Sequence, residues 1–142
     1  MKSEANRTPA SLTFLMMDAP YEQSRTATAF RILDASLRQG FAVRVFAYEG
    51  AVCLSSPRQK PHANAIHGRN LEEEAHPTPH VWVSALVRLA DELKLPFEWV
   101  NCGLCVDERG ADEAVAGVRR GSPADFWKMA GESANTLVIA TR

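Results

Sequence analysis

Leu12 to Met17 reads Leu-Thr-Phe-Leu-Met-Met, a nearly continuous apolar run of the kind found in strands buried on both faces. Asp18-Ala19-Pro20-Tyr21 breaks it. From Ser24 to Gln39 the period changes to that of a helix. Phe30, Leu33 and Leu37 share one face, and Arg31, Asp34 and Arg38 another. Gly40 stands where a helix is commonly closed by a left-handed residue. Phe41 to Ala47 (FAVRVFA) then reads as a second strand, rich in β-branched and aromatic residues. Strand, helix and strand with short joints predict a right-handed βαβ unit with parallel strands.

The stretch from Cys53 to Pro79 follows neither period. It holds Pro57, Pro61, Pro77 and Pro79, the acidic run Glu72-Glu73-Glu74, and His62, His67 and His76, with His80 just beyond. It is expected to be a long mobile loop, about residues 54–79, with one short helix around Asn64 to Glu74. Thr78-Pro79 has the form of an N-cap followed by proline at the first helical position. That helix is predicted to run to about Leu93, with Trp82, Leu86, Leu89 and Leu93 on one stripe. Phe97 to Asn101 is the third strand, and Asp112 to Val118 is predicted as a short helix. Ser122-Pro123-Ala124-Asp125 starts a last helix ending near Ser133, and Thr136 to Thr141 closes the sheet. A fifth, short strand is expected near Gly50 to Leu54 or Val115 to Arg119.

The fold class follows: α/β, a doubly wound, mainly parallel sheet of four to five strands with helices on both faces. At 142 residues it forms a single domain over residues 11–142 behind a flexible N-terminus, residues 1–10. An apolar fraction of 46% supplies a core without staples. The net charge of −1, with Lys and Arg scattered, argues against nucleic acid, which needs a dense basic surface. No apolar run approaches a membrane span, and the first nine residues are too polar for a signal peptide, so a cytoplasmic location is expected. Three cysteines are too few, and odd in number, for a disulfide framework.

In such sheets ligands meet the carboxyl ends of the strands. Three segments fall there: Asp18 to Tyr21, Tyr48 to Cys53, and Asn101 to Gly110. The last is Asn-Cys-Gly-Leu-Cys-Val-Asp-Glu-Arg-Gly. Cys102 lies where an apolar strand stops and a glycine loop is expected to begin. Loop amides, a following helix N-terminus or Arg109 would stabilise its thiolate, making the sulfur a nucleophile near neutral pH. Cys102 and Cys105 also form a C-x-x-C, a spacing that serves a disulfide, a shared metal, or a nucleophile with a resolving partner. The histidine spacings match no zinc pattern. Asp18, Tyr21 and Cys53 are candidates for the border of a substrate pocket. A loop-starting Asp, a packed Tyr and a buried apolar Cys explain them equally well. Trp82, Phe126 and Trp127 read as core first and interface second.

Along nearly its whole length the chain resembles the DsrE/DsrF/TusD-like sulfurtransferases of sulfur relay. The matching pieces are the first strand with Asp18-Ala19-Pro20-Tyr21, the run Gly40 to Phe46, Val100 to Cys105 through Arg109-Gly110, and the closing helix and strand. In that family a cysteine ending the third main strand, eight residues before the glycine of an Arg-Gly pair, accepts sulfane sulfur; Cys102 and Gly110 have that spacing. The resemblance implies a persulfide on Cys102 that passes to an acceptor thiol, with no metal or organic cofactor. It also implies donor and acceptor proteins or small persulfides as partners, and a homo-oligomer, trimer or hexamer. Cys105 matches a second cysteine of some members, and Arg109 is placed to offset the anion. The excursion from Ser55 to Pro79 has no counterpart in the family pattern. Two rival readings remain: a thiol oxidoreductase using Cys102 and Cys105, and a non-catalytic partner-binding subunit. A flavodoxin-like or response-regulator role is disfavoured, because the first loop has no phosphate cradle and the third strand ends without an acceptor Asp.

Overall fold

The computed structural model describes residues 7–61 and 77–141. The order is β1 (Ser11–Met16), α1 (Ser24–Arg38), β2 (Ala42–Ala47), a 3₁₀-helix (Glu49–Ser55), α2 (Pro79–Glu92), β3 (Phe97–Cys102), α3 (Gly103–Arg109), β4 (Val118–Gly121), α4 (Pro123–Glu132) and β5 (Asn135–Ile139). The five strands are all parallel, in the order β4-β3-β2-β1-β5. The expected fold class is therefore the observed one. The short helix expected around Asn64 to Glu74 lies outside the described residues, as do His62, His67 and His76.

Side chains alternate across a strand, so register assigns each to a face. Phe14, Val45 and Trp99 are paired neighbours and share one face. Phe30 of α1 stacks there on Trp82 of α2 at 5.0 Å and on Trp99 at 6.1 Å. Phe46 and Val100 share the opposite face, where Phe126 of α4 packs on Phe46 at 5.9 Å and Arg44 pairs with Glu132 at 2.8 Å. Helices thus cover both faces. Right-handed crossovers require this, since α4 alone returns the chain from one edge of the sheet to the other.

Two expectations about short segments need correction. Gly50 to Leu54 is not a strand but part of the 3₁₀-helix. Asp112 to Val118 is not a helix. There the Val115 N–H donates to the Ser55 carbonyl at 2.9 Å, and Gly117 takes a left-handed φ of 91° against Val87, where a Cβ would meet Cγ1 at 3.0 Å. The fifth strand is β4, which starts at Val118, three residues into the second expected range, Val115 to Arg119. Trp127, expected in the core, is 80% exposed, because its neighbour Phe126 takes the inward position on α4.

Pro79 and Pro123 occupy first-turn positions of α2 and α4, as their sequence contexts predict. Ser122 and Asp125 form a capping box in which the Ser122 N–H donates to Asp125 Oδ2 at 2.8 Å. That bond, above all, holds the Asp125 carboxyl below its ordinary value of 3.8, so its contribution is present above that pH and lost as pH falls through the lowered value. Asp125→Ala is expected to cost about 1 kcal/mol at pH 7. Chemical denaturation at pH 7 and pH 2 checks this: the gap between variant and wild type should shrink at the lower pH, and a gap independent of pH would refute the cap.

Candidate functional site

The site grows from the end of β3. Asn101 shares the face of Trp99, and its side chain is buried within a polar chain. Trp99 Nε1 donates to Asn101 Oδ1 at 3.1 Å, and Asn101 Nδ2 donates to Ser55 Oγ at 2.9 Å. Ser55 belongs to the 3₁₀-helix, so this chain ties the rim after β2 to the rim after β3. Buried polar groups without such partners cost stability, and here each of the three is satisfied.

Cys102, one residue on, lies on the other face, with Val100. It is the N-cap of α3, and its backbone (φ −59°, ψ 118°) turns the strand directly into the helix. The glycine loop expected after Cys102 does not occur. Cys105 and Val106 are buried while Leu104 is 72% exposed, so the segment is an amphipathic helical turn. Gly103 serves close packing instead: a Cβ there would meet Arg120 Nε at 3.1 Å and the Gly121 carbonyl at 3.2 Å. The helix closes at left-handed Gly110 (φ 59°), which accounts for the Arg-Gly pair.

Cys102 is 2% exposed and Cys105 5%. The thiol expected to be reachable at the rim is therefore covered. It remains close to charge. Arg120, paired with Asn101 in the register of β3 and β4, donates through Nη2 to the Gly103 carbonyl at 3.0 Å and pairs with Asp107 at 2.6 Å, which sets its guanidinium beside the residue that follows Cys102. Cys105 Sγ accepts the Glu49 N–H at 3.2 Å. Burial, then the neighbouring Cys102, pushes the Cys105 thiol up to about 11 against the opposing pull of the Glu49 N–H and Arg109. Tyr48 completes the group; Glu49 first and the two thiols after it raise its phenol above the usual value.

The other predicted residues are distributed around this corner. Arg109 pairs with Glu49 at 3.2 Å and Glu108 at 3.3 Å, so it acts on Cys105 while Arg120 is the cation beside Cys102. Cys53 is half-buried in a separate groove with Pro20, Arg58, Gln59 and Arg109. Asp18 is buried in an ion pair with Arg25 at 2.9 Å. Tyr21, left-handed at φ 67° and 58% exposed, borders a cleft with Phe30 and Trp82 on the helix-rich face. Asp18 and Tyr21 therefore do not line the thiol corner, and the packing of the loop after β1 explains them. Its Ala19 lies where a Cβ on Gly50 would come within 2.7 Å. Tyr48, Glu49 and Arg120 were not singled out from sequence. Among the described residues no group of three His, Cys, Asp or Glu is gathered for a metal, and no helix is long and apolar enough to cross a membrane. His80 is engaged with Gln59 and Thr78 at the start of α2.

A parallel five-stranded α/β sheet with a cysteine pair at its carboxyl rim defines a class of small thiol-bearing domains. A family model described as the DsrE/DsrF-like family matches residues 10–139, and the chain belongs to that family, which is associated with sulfur relay. Among solved structures, it is similar to the ychN protein from E. coli, with 17% identity, a TM-score of 0.65, and coverage of 92% of this chain and 99% of that one. At that identity the likeness speaks for the fold. No curated protein matches the chain in sequence.

Asn101→Ala is expected to destabilise the domain by roughly 2–3 kcal/mol, since it leaves the Trp99 N–H and the Ser55 hydroxyl without their buried partner. Ser55→Ala, which removes one end of the chain, should cost less. Urea melts of both variants and the double mutant test the link, and additive losses would show that the two residues are uncoupled.

Proposed function

We propose that the domain is a sulfur carrier that holds sulfane sulfur as a persulfide on Cys102 and delivers it to an acceptor thiol. The observation that carries the reading is the position of Cys102, the last residue of β3 and N-cap of α3, with Arg120 and Cys105 at its side. Membership of the DsrE/DsrF-like family supports it.

The Cys102 thiolate attacks the outer sulfur of a donor R–S–SH. The donor S–S bond breaks, R–S⁻ leaves, and Cys102–S–SH forms. An acceptor thiolate then attacks that outer sulfur and releases Cys102 as thiolate. Atoms and electrons balance without an oxidant or a metal. Arg120 offsets the negative charge that Cys102 carries at either end of the cycle. Because the sulfur is covered, donor and acceptor reach it only when the first turn of α3, led by exposed Leu104, moves aside. Donor and acceptor proteins, or small persulfides, are the partners of this reading.

The placement of Cys102 and Cys105 at the N-cap and third position of one short helix, both buried, favours a second reading, a thiol oxidoreductase cycling between dithiol and disulfide. The two are separated by what the protein gains. Incubation with a persulfide donor should add the mass of one sulfur atom to wild type, mapped to Cys102, and nothing to Cys102→Ser. A wild-type protein that stays unloaded under conditions that load an established carrier overturns the carrier reading. Arg120→Met should slow loading by roughly threefold to tenfold, the range expected for one partly exposed cation, with the difference fading at high salt. A homo-oligomer, trimer or hexamer, belongs to the same reading, with exposed Trp127 as a contact residue. Light scattering on the purified protein should return a mass of at least three chains, and a monomer at micromolar concentration would contradict it.

A further inference from the structure

The helices α1 and α2 both begin at the carboxyl rim of the sheet, and a cleft of about 280 Å³ lies between their N-terminal ends. One wall is apolar: Trp82, stacked on Phe30 at 5.0 Å with the ring planes 25° apart, and Pro79. Three groups of α1 and its cap face that wall, Gln23, Thr26 and Arg31. Gln23 makes no capping bond with its side chain. Thr26 is 6% exposed, and its hydroxyl has no hydrogen-bond partner among the described residues, yet it is not sealed from solvent. A hydroxyl so placed opens onto the cleft its residue lines, and it is a group that a ligand oxygen would satisfy. Arg31 makes no ion pair among the described residues and is the single charged side chain in the lining. Neither helix has an acidic residue in its first turn, so both positive dipole ends stand unopposed there. Asp18, just before α1, is taken up by Arg25 at 2.9 Å.

We infer that this cleft binds a small aromatic carboxylate, its ring against Trp82 and its carboxylate between Arg31 and the Thr26 hydroxyl. The ring follows from the wall, since an aromatic face beside proline takes a flat apolar body, and stacking adds to what burial contributes. The anion follows from Arg31, which no carboxylate in the lining opposes. At about 280 Å³ the cleft lies at the lower end of small-molecule sites, roughly 300–1,000 Å³, which limits the ligand to one or two rings. The cleft is on the α1 and α2 face, whereas Cys102 shares the face of Val100 and α4. The inference therefore stands apart from the carrier reading, and it assigns binding alone, with no bond made or broken.

The test uses indole-3-acetate as the probe and indole-3-acetamide, of the same shape without the charge, as its control. Each is titrated into the ¹⁵N-labelled full chain, and the backbone amide and indole N–H signals are followed by NMR. Indole-3-acetate should shift Gln23, Thr26, Ala27 and the Trp82 side-chain N–H saturably, with a Kd on the order of 1 mM or tighter. The amide should bind roughly threefold to tenfold more weakly, and Arg31→Gln, a change at an exposed position, should erase that difference. Thr26→Val keeps the shape but not the hydroxyl and should weaken both probes by roughly threefold to tenfold. If Thr26→Val does not fold, Arg31→Gln decides the matter. Absence of a saturable shift, equal binding of acid and amide by wild type, or shifts centred on exposed Leu104 and Trp127 overturn the inference. Shifts at the cleft that grow with protein concentration before any probe is added give the cleft to a second copy of the chain and overturn it too.

Discussion

The buried amide of Asn101 is the constraint on which the rim depends. An amide removed from water must find its hydrogen bonds inside the protein, and Asn101 finds them on Trp99 and Ser55. Ser55 extends the link through its carbonyl, which accepts the Val115 N–H, so one polar thread joins the segments following β2 and β3 to the approach to β4. Strand alternation then leaves Cys102 no choice of side. With Asn101 committed to the α1 and α2 face, its neighbour must point to the face of Val100 and α4, while Arg120, the partner of Asn101 in β4, belongs to the Asn101 side. The thiol is thus placed by the adjacent buried amide.

Around the Cys105 sulfur two effects oppose one another. Cys105 feels the Glu49 N–H and Arg109, both favouring a thiolate, yet its thiol rises to about 11 because desolvation is larger than either. Arg109 is itself divided between Glu49 and Glu108, which weakens its claim on any thiol. Cys102 has Arg120 instead, held over Gly103 by the carbonyl and by Asp107. Gly103 is what permits that approach, since a side chain there would press against the guanidinium. The motif Cys-Gly-x-Cys is therefore explained position by position: a cap, a clearance, an exposed residue and a buried thiol.

Much of this was legible in the sequence, and the part that was not has common causes. Apolar runs exposed β1, β2 and β3 because parallel strands covered on both sides carry little polar pattern. Thr78-Pro79 and Ser122-Pro123 marked helix starts because cap chemistry is local. β4 was misplaced because Val-Arg-Arg-Gly is a four-residue edge strand whose outward positions are charged, and nothing local separates it from a loop. Arg120 was missed for the same reason: only the pairing of Asn101 with Arg120 closes the gap in sequence between that cation and the end of β3. Tyr48 and Cys53 both fell in a segment read as rim, but the turn of the 3₁₀-helix sends Tyr48 and Glu49 toward the thiols and Cys53 into another groove. Side-chain direction inside a short irregular helix has no sequence period to betray it.

The covered state of Cys102 follows from the same geometry and gives the carrier reading its particular form. The strand passes straight into a helix at Cys102, which is 2% exposed. α3 is only seven residues long and ends at a left-handed glycine, so its first turn has little helix behind it to resist displacement. Beneath it the Asn101 thread and the sheet stay fixed. In the carrier reading a partner must displace that turn against the burial of Cys105 and Val106 and the bonds of Arg120 to Gly103 and Asp107, and exposed Leu104 is the apolar surface it would meet first.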